Sequence, residues 1–108
     1  MSYDVKTLDV FERQAKKLVR KYASLRGELK TLIEHLKQDP AQGTSIGKQC
    51  YKIRLAIKSK GKGKSGGARV ITCIVSSKEQ VYLLSIYDKS SKESISDQEL
   101  EKLLEAIP

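Results

Sequence analysis

No aspartate or glutamate occurs between Asp39 and Glu79, and this is the widest gap in the chemistry of a 108-residue chain. Residues 40–78 carry nine basic side chains and none acidic, residues 1–39 nine and six, and residues 79–108 three and seven. The net charge of +8 is therefore local to the middle third, the pattern of a polyanion-binding surface. Without carboxylates near the basic segment there is nothing to hold Mg²⁺, so two-metal phosphodiester cleavage is disfavoured. Histidine is equally scarce. His35 stands alone between Glu34 and Leu36 on a helical pattern and reads as an exposed or boundary residue, which argues against a histidine-based nuclease. The two cysteines, Cys50 and Cys73, each fall inside a strand-like run and read as buried, reduced thiols. No spacing among them and His35 suits zinc, so neither metal nor cofactor is expected. Long apolar runs are missing too. Val70–Val75 and Val81–Leu84 are far too short to cross a bilayer, and Met1-Ser-Tyr-Asp-Val-Lys6 lacks the basic-then-apolar pattern of a secretory leader. A cytoplasmic chain with no membrane partner is the expectation.

With 39% hydrophobic and 31% charged residues over this length, the chain is expected to form a single domain, residues 1–108, around one modest core. Tyr3 to Leu8 can supply a first short strand. From Asp9, the residues Phe11, Ala15, Leu18, Val19 and Tyr22 recur at helical spacing, with Arg13, Lys16, Lys17, Arg20 and Lys21 between them. Ser24 can cap a second helix with the stripe Leu25, Leu29, Leu32, Ile33 and Leu36, stopped by Asp39-Pro40. After a loop over Ala41–Gly47 the period changes to two: Tyr51, Ile53, Leu55 and Ile57 alternate with Lys52, Arg54, Ala56 and Lys58. The apolar side should face the helices, leaving Lys52, Arg54 and Lys58 on the opposite side, about 7 Å apart at each two-residue step. Ala68–Val75 reads as a central strand opened by Arg69, and Val81–Tyr87 completes a three-stranded antiparallel meander. Ser96-Asp-Gln-Glu99 has capping-box spacing ahead of a final helix with Leu100, Leu103, Leu104 and Ile107 on one face. The fold class is α+β: two N-terminal helices packed on a small antiparallel sheet, with a C-terminal helix.

The Lys/Gly run Lys58-Ser-Lys-Gly-Lys-Gly-Lys-Ser-Gly-Gly-Ala-Arg69 contains two decoys. Gly61-Lys-Gly-Lys-Ser-Gly66 matches the dinucleotide fingerprint, but it joins strand to strand and offers no helix N-terminus to a pyrophosphate. Gly63-Lys64-Ser65 resembles the end of a Walker loop, yet the required earlier glycine is Lys58. A flexible arm lying along a nucleic-acid backbone accounts better for alternating Lys and Gly, since glycine lets the chain follow the phosphates while each lysine neutralises one. Cation chemistry on RNA then remains. RNA brings its own nucleophile, the 2′-OH, so cleavage needs in-line geometry, a proton acceptor, charge stabilisation on phosphorus and a proton donor for the leaving oxygen. Lysines crowded by other cations can act as bases, arginine offers a permanent planar charge, and tyrosine can stack on unpaired bases.

Three segments carry a resemblance: Cys50-Tyr-Lys-Ile-Arg-Leu55, the Lys58–Arg69 turn, and Val81-Tyr-Leu-Leu-Ser-Ile-Tyr-Asp-Lys89 ahead of a Ser-capped helix. Together they resemble the RelE/HigB-like toxins of bacterial type II toxin–antitoxin modules, in the RelE/ParE superfamily, with the middle segment closest to the HigB branch. The resemblance implies a β-α-α-β-β-β core with a C-terminal helix, and an endoribonuclease that enters the ribosomal A site, cuts mRNA there without a metal and so inhibits translation. Carried over by position, it implies Lys52 as general base, Arg54 as its basic partner, Arg69 as the phosphate-stabilising arginine and Lys89 on the leaving-group side. Lys58, Lys60, Lys62 and Lys64 would grip ribosomal RNA. Some RelE proteins have a base-stacking tyrosine where this chain has Ser94-Ile-Ser96, and Tyr87 is the candidate replacement. Implied partners are a cognate antitoxin of helix-turn-helix type, the ribosome with its mRNA and rRNA, and DNA only through the antitoxin. Two alternatives share the fold: a ParE-like inhibitor of DNA gyrase, and an inactive RNA-binding or autoregulatory relative.

Overall fold

The computed structural model of the chain describes residues 2–61, 63 and 66–108. Helix α1 (Asp9–Lys21) has acids in its first turn and Arg20 and Lys21 in its last, matching both ends of the helix dipole. Tyr22 closes it with an N–H bond to the Leu18 carbonyl, and α2 (Leu25–Gln38) follows at once as the expected hairpin. Ser24 occupies the N-cap position of α2, but its hydroxyl does not cap. It donates instead to Glu28 at 3.1 Å and accepts from the Ser59 N–H at 2.9 Å, tying the helix start to the segment after the third strand.

Five strands form one sheet in the order β1-β5-β4-β3-β2: β1 (Asp4–Thr7), β2 (Thr44–Gly47), β3 (Cys50–Leu55), β4 (Ala68–Val75) and β5 (Gln80–Asp88). The antiparallel meander β3-β4-β5 is as expected, and β1 adds to it in parallel beside β5. Strand β2 corrects the expectation of a loop over Ala41–Gly47. Its two-residue connection to β3, Lys48-Gln49, has positive φ at both positions, a conformation that hairpins normally give to glycine or asparagine. Lysine and glutamine there carry no hairpin signal, which is why the turn is silent in the sequence. The β3 alternation also stops earlier than its pattern suggests: the strand ends at Leu55, though Ile57 stays buried.

The sheet is covered on both faces. Phe11, Leu25, Leu29, Leu32 and Leu36 of the hairpin pack on Ile53, Val70, Leu83 and Ile86. On the other face Leu100 of α3 (Asp97–Glu105) joins Cys50, Ile71, Cys73, Leu84 and Tyr87. Each fully buried aliphatic side chain contributes about 1.5–3 kcal/mol, so the unexposed Leu25, Leu36 and Leu83 anchor the hairpin to the sheet. The capping box is complete: the Glu99 N–H donates to Ser96 Oγ, and the Ser96 N–H to the Glu99 carboxylate.

Candidate nucleic-acid interface

Strand register places Arg54 of β3 directly opposite Arg69 of β4, and Arg69 opposite Tyr87 of β5. This row lies on the α3 face, to which Tyr87 belongs. Lys52, two residues along β3, pairs with Ile71 and shares that face. Like charges opposed across a ladder, with Cβ atoms about 4.5–5.5 Å apart, destabilise a sheet. Register thus brings two permanent cations to one face of the sheet. Arg54 and the half-buried Lys52 form the accessible side of the row. Arg69 is the deep member, 4% exposed, with its guanidinium donating to the Ala68 carbonyl at 3.1 Å.

Tyr87 is 7% exposed and lies under the start of α3. The Lys92 ammonium sits 5.4 Å from its ring centroid and is ion-paired with Glu99. Burial pushes the Tyr87 phenol above its ordinary pKa, Arg69 pulls the other way, and Glu99 adds to the rise. Its hydroxyl is buried with no hydrogen-bond partner among the described residues. Lys89 follows β5 and extends its pairing with β4, its N–H bonding the Gly67 carbonyl at 3.0 Å. The Lys89 ammonium lies 3.7 Å from Glu93 and is about one-third exposed. Register thus places Arg54, Arg69 and Tyr87 in one row, with Lys52 two residues along β3 in the middle of the ladder and Lys89 just past the end of β5.

Lys58 and Lys60 of the arm do not join them. Lys58 is exposed, and its backbone N–H is held by Glu28 of α2 at 2.8 Å. Lys62 and Lys64 lie outside the described residues. Lys60 departs from the expectation of a free docking lysine: its ammonium is buried against Asp88 at 2.5 Å, bonds Ser90 Oγ at 3.2 Å and lies 5.6 Å from the Tyr22 ring centroid. Asp88 also accepts from Tyr22 Oη at 2.6 Å and from the Ser90 N–H at 3.0 Å. Burial alone would raise the Asp88 pKa, but the bonds from Lys60, Tyr22 and Ser90 outweigh it and hold the carboxyl well below the usual range. Tyr87 and Asp88 are consecutive residues that point to opposite faces, one toward α3 and the other toward Tyr22 of the hairpin core. Neither Asp88 nor Lys92 was a candidate on sequence. The one available signal was Asp88-Lys-Ser90, the pattern of an Asx-turn.

Gly67 sets the spacing at this end of the ladder. A Cβ built there would lie 2.1 Å from the Leu55 carbonyl oxygen, so β3 and β4 close on each other only with glycine at that point. Gly67→Ala is expected to cost about 1–3 kcal/mol, the range for overpacking a tight site, and to spread the Arg54–Arg69 pair. Equilibrium urea unfolding measures the first effect; an unchanged midpoint would show that the approach is not constrained.

Comparison with known proteins agrees with this architecture. A family model described as the RelE toxin of the RelE/RelB toxin–antitoxin system matches residues 8–107. Among solved structures, a free-state mutant of E. coli toxin RelE superposes with a TM-score of 0.60 at 20% identity, covering 100% of both chains. The intact E. coli RelBE toxin–antitoxin complex gives 0.61 at 20% identity, over 81% of this chain and 96% of that one. A mutant E. coli RelE bound to an antitoxin RelBc peptide gives 0.58 at 19% identity, covering 100% of both chains.

Proposed function

The chain belongs to the RelE family of toxins from toxin–antitoxin systems, and from that premise we propose that it is a ribosome-dependent, metal-independent endoribonuclease that cleaves mRNA in the A site. The observation that carries the proposal is the opposed Arg54–Arg69 pair with Lys52 on the same face. A phosphodiester seated on that face meets both permanent cations, and the trigonal-bipyramidal phosphorane, with more negative charge, is held more strongly than the ground state. Lys52 takes the proton from the 2′-OH, which attacks phosphorus in line. The bond to the 5′ oxygen breaks, Lys89 supplies that oxygen with its proton, and a 2′,3′-cyclic phosphate remains on the upstream fragment. Tyr87 stacks on an unpaired base once both Lys92 and the start of α3, which bury its ring, move away. Lys58, Lys62 and Lys64 contact ribosomal RNA, where they add salt-dependent affinity.

A cognate antitoxin of helix-turn-helix type restrains the toxin, and through it the pair reaches DNA. The test is primer extension on translating ribosomes carrying a defined mRNA. Codon-linked cuts are expected, and a 2′-deoxy sugar at the cut site should abolish them because the nucleophile is then missing. Intact mRNA together with gyrase-type DNA breaks would overturn the reading in favour of a ParE-like inhibitor. Antitoxin binding with neither lesion would mark an inactive, autoregulatory relative.

A further inference from the structure

Cys50 and Cys73 are both free and buried, and they are direct partners across the β3-β4 ladder. Their pairing is of the non-hydrogen-bonded type, since it is the next residue, Ile74, whose N–H bonds the Gln49 carbonyl at 2.9 Å. In such pairs the Cα atoms approach to about 4.5 Å, inside the range of about 4.4–6.8 Å that a disulfide spans. Both thiols converge on one acceptor: Cys50 Sγ lies 3.5 Å and Cys73 Sγ 4.0 Å from the Lys48 carbonyl oxygen. We propose that this pair is a redox site, at which a peroxide converts the two thiols into a cross-strand disulfide.

The chemistry is asymmetric. Contact with Cys73 and burial push the Cys50 thiol far above its ordinary range, while the same contact lowers Cys73. Cys73, 5% exposed against 0% for Cys50, is also the more accessible of the two. Its thiolate attacks the peroxide, taking one oxygen as a sulfenic acid and releasing one water once the departing hydroxide is protonated. Cys50 then attacks the Cys73 sulfur, the S–O bond breaks, its hydroxyl leaves with the Cys50 proton as a second water, and the S–S bond forms. Two thiols are oxidised by two electrons and one peroxide is reduced to two waters.

The bond would close a loop over residues 50–73, which contains Lys52, Arg54 and Arg69. It would also lie beside the Lys48-Gln49 turn, whose Lys48 is ion-paired with Glu101 of α3. Oxidation is thus expected to rigidify the ladder that carries the basic row and to raise the thermal midpoint.

The test treats the reduced full-length chain with hydrogen peroxide, blocks remaining thiols with an alkylating agent and measures intact mass and thermal unfolding. The expected result is loss of two hydrogens, no alkylation and a higher midpoint, all reversed by dithiothreitol. Cys50→Ser should instead stop at a sulfenic acid on Cys73 or an intermolecular disulfide, with no rise in midpoint. Two thiols that remain fully alkylated after peroxide, or that gain oxygen independently, would overturn the proposal.

Discussion

Replacing Arg69 by alanine is expected to lower ribosome-dependent mRNA cleavage by about 10²–10³-fold, the effect of deleting a preorganised charge aimed at a transition state. Growth arrest on expression should disappear with it. The argument rests on depth: Arg69 is the buried member of the opposed arginine pair, its guanidinium oriented by the Ala68 carbonyl. A buried cation interacts with a phosphate through a lower dielectric than Arg54 does at the surface, so the deep arginine should matter more. Arg69→Lys keeps the charge and loses the planar fork, and should retain only part of the activity. Thermal unfolding separates catalysis from folding. Full cleavage by the alanine variant, or a loss that merely tracks the unfolded fraction, would sink the assignment.

Asp88→Asn is expected to destabilise the chain by about 3–5 kcal/mol, the range for removing one partner of a buried ion pair. The substitution leaves the Lys60 ammonium buried without its counter-charge and weakens the bond from Tyr22 Oη. Asp88 is 4% exposed, so water cannot compensate. If the cost is an orphaned charge, adding Lys60→Met should recover much of it, and urea unfolding of the single and double variants measures that coupling. The pH dependence has a fixed sign. The carboxyl is held well below its unfolded value of about 3.9. Its contribution is therefore complete above that value and is lost as pH falls through the depressed folded pKa. Unfolding midpoints should drop between about pH 5 and about pH 2 in the wild type and less steeply in Asp88→Asn. Equal slopes would show that Asp88 does not carry the acid sensitivity.

Arg69 ends the Lys/Gly run and Asp88 binds one of its lysines, yet only Arg69 was visible in the sequence. Arg69 could be named because it opens a strongly apolar strand and matches a family pattern. Asp88 could not, because its role depends on Lys60 folding back and on Tyr22 arriving from the end of α1. Lys60 shows the same limit from the other side. In sequence it is indistinguishable from Lys62 and Lys64, three lysines in one alternating run, and only the position of Asp88 singles it out. Strand β2 was hidden for a local reason: a hairpin turn built from Lys48-Gln49 in left-handed conformation lacks the residues that normally announce it.

What the sequence determined by itself were properties with a short period. The two amphipathic helices, the three meander strands, the capping box at Ser96 and Glu99, and the acid-free middle third can all be read from residues a few positions apart. Tertiary structure alone decided what those residues face. It set Arg54 against Arg69 and Cys50 against Cys73, laid β1 parallel to β5, covered Tyr87 with Lys92, and turned Lys60 inward to Asp88. The physical reason is that periodicity records how a segment meets a generic interface between core and water. Register and ion pairing are set by which distant segment arrives there, and a charged side chain pays its desolvation only when that partner is in place.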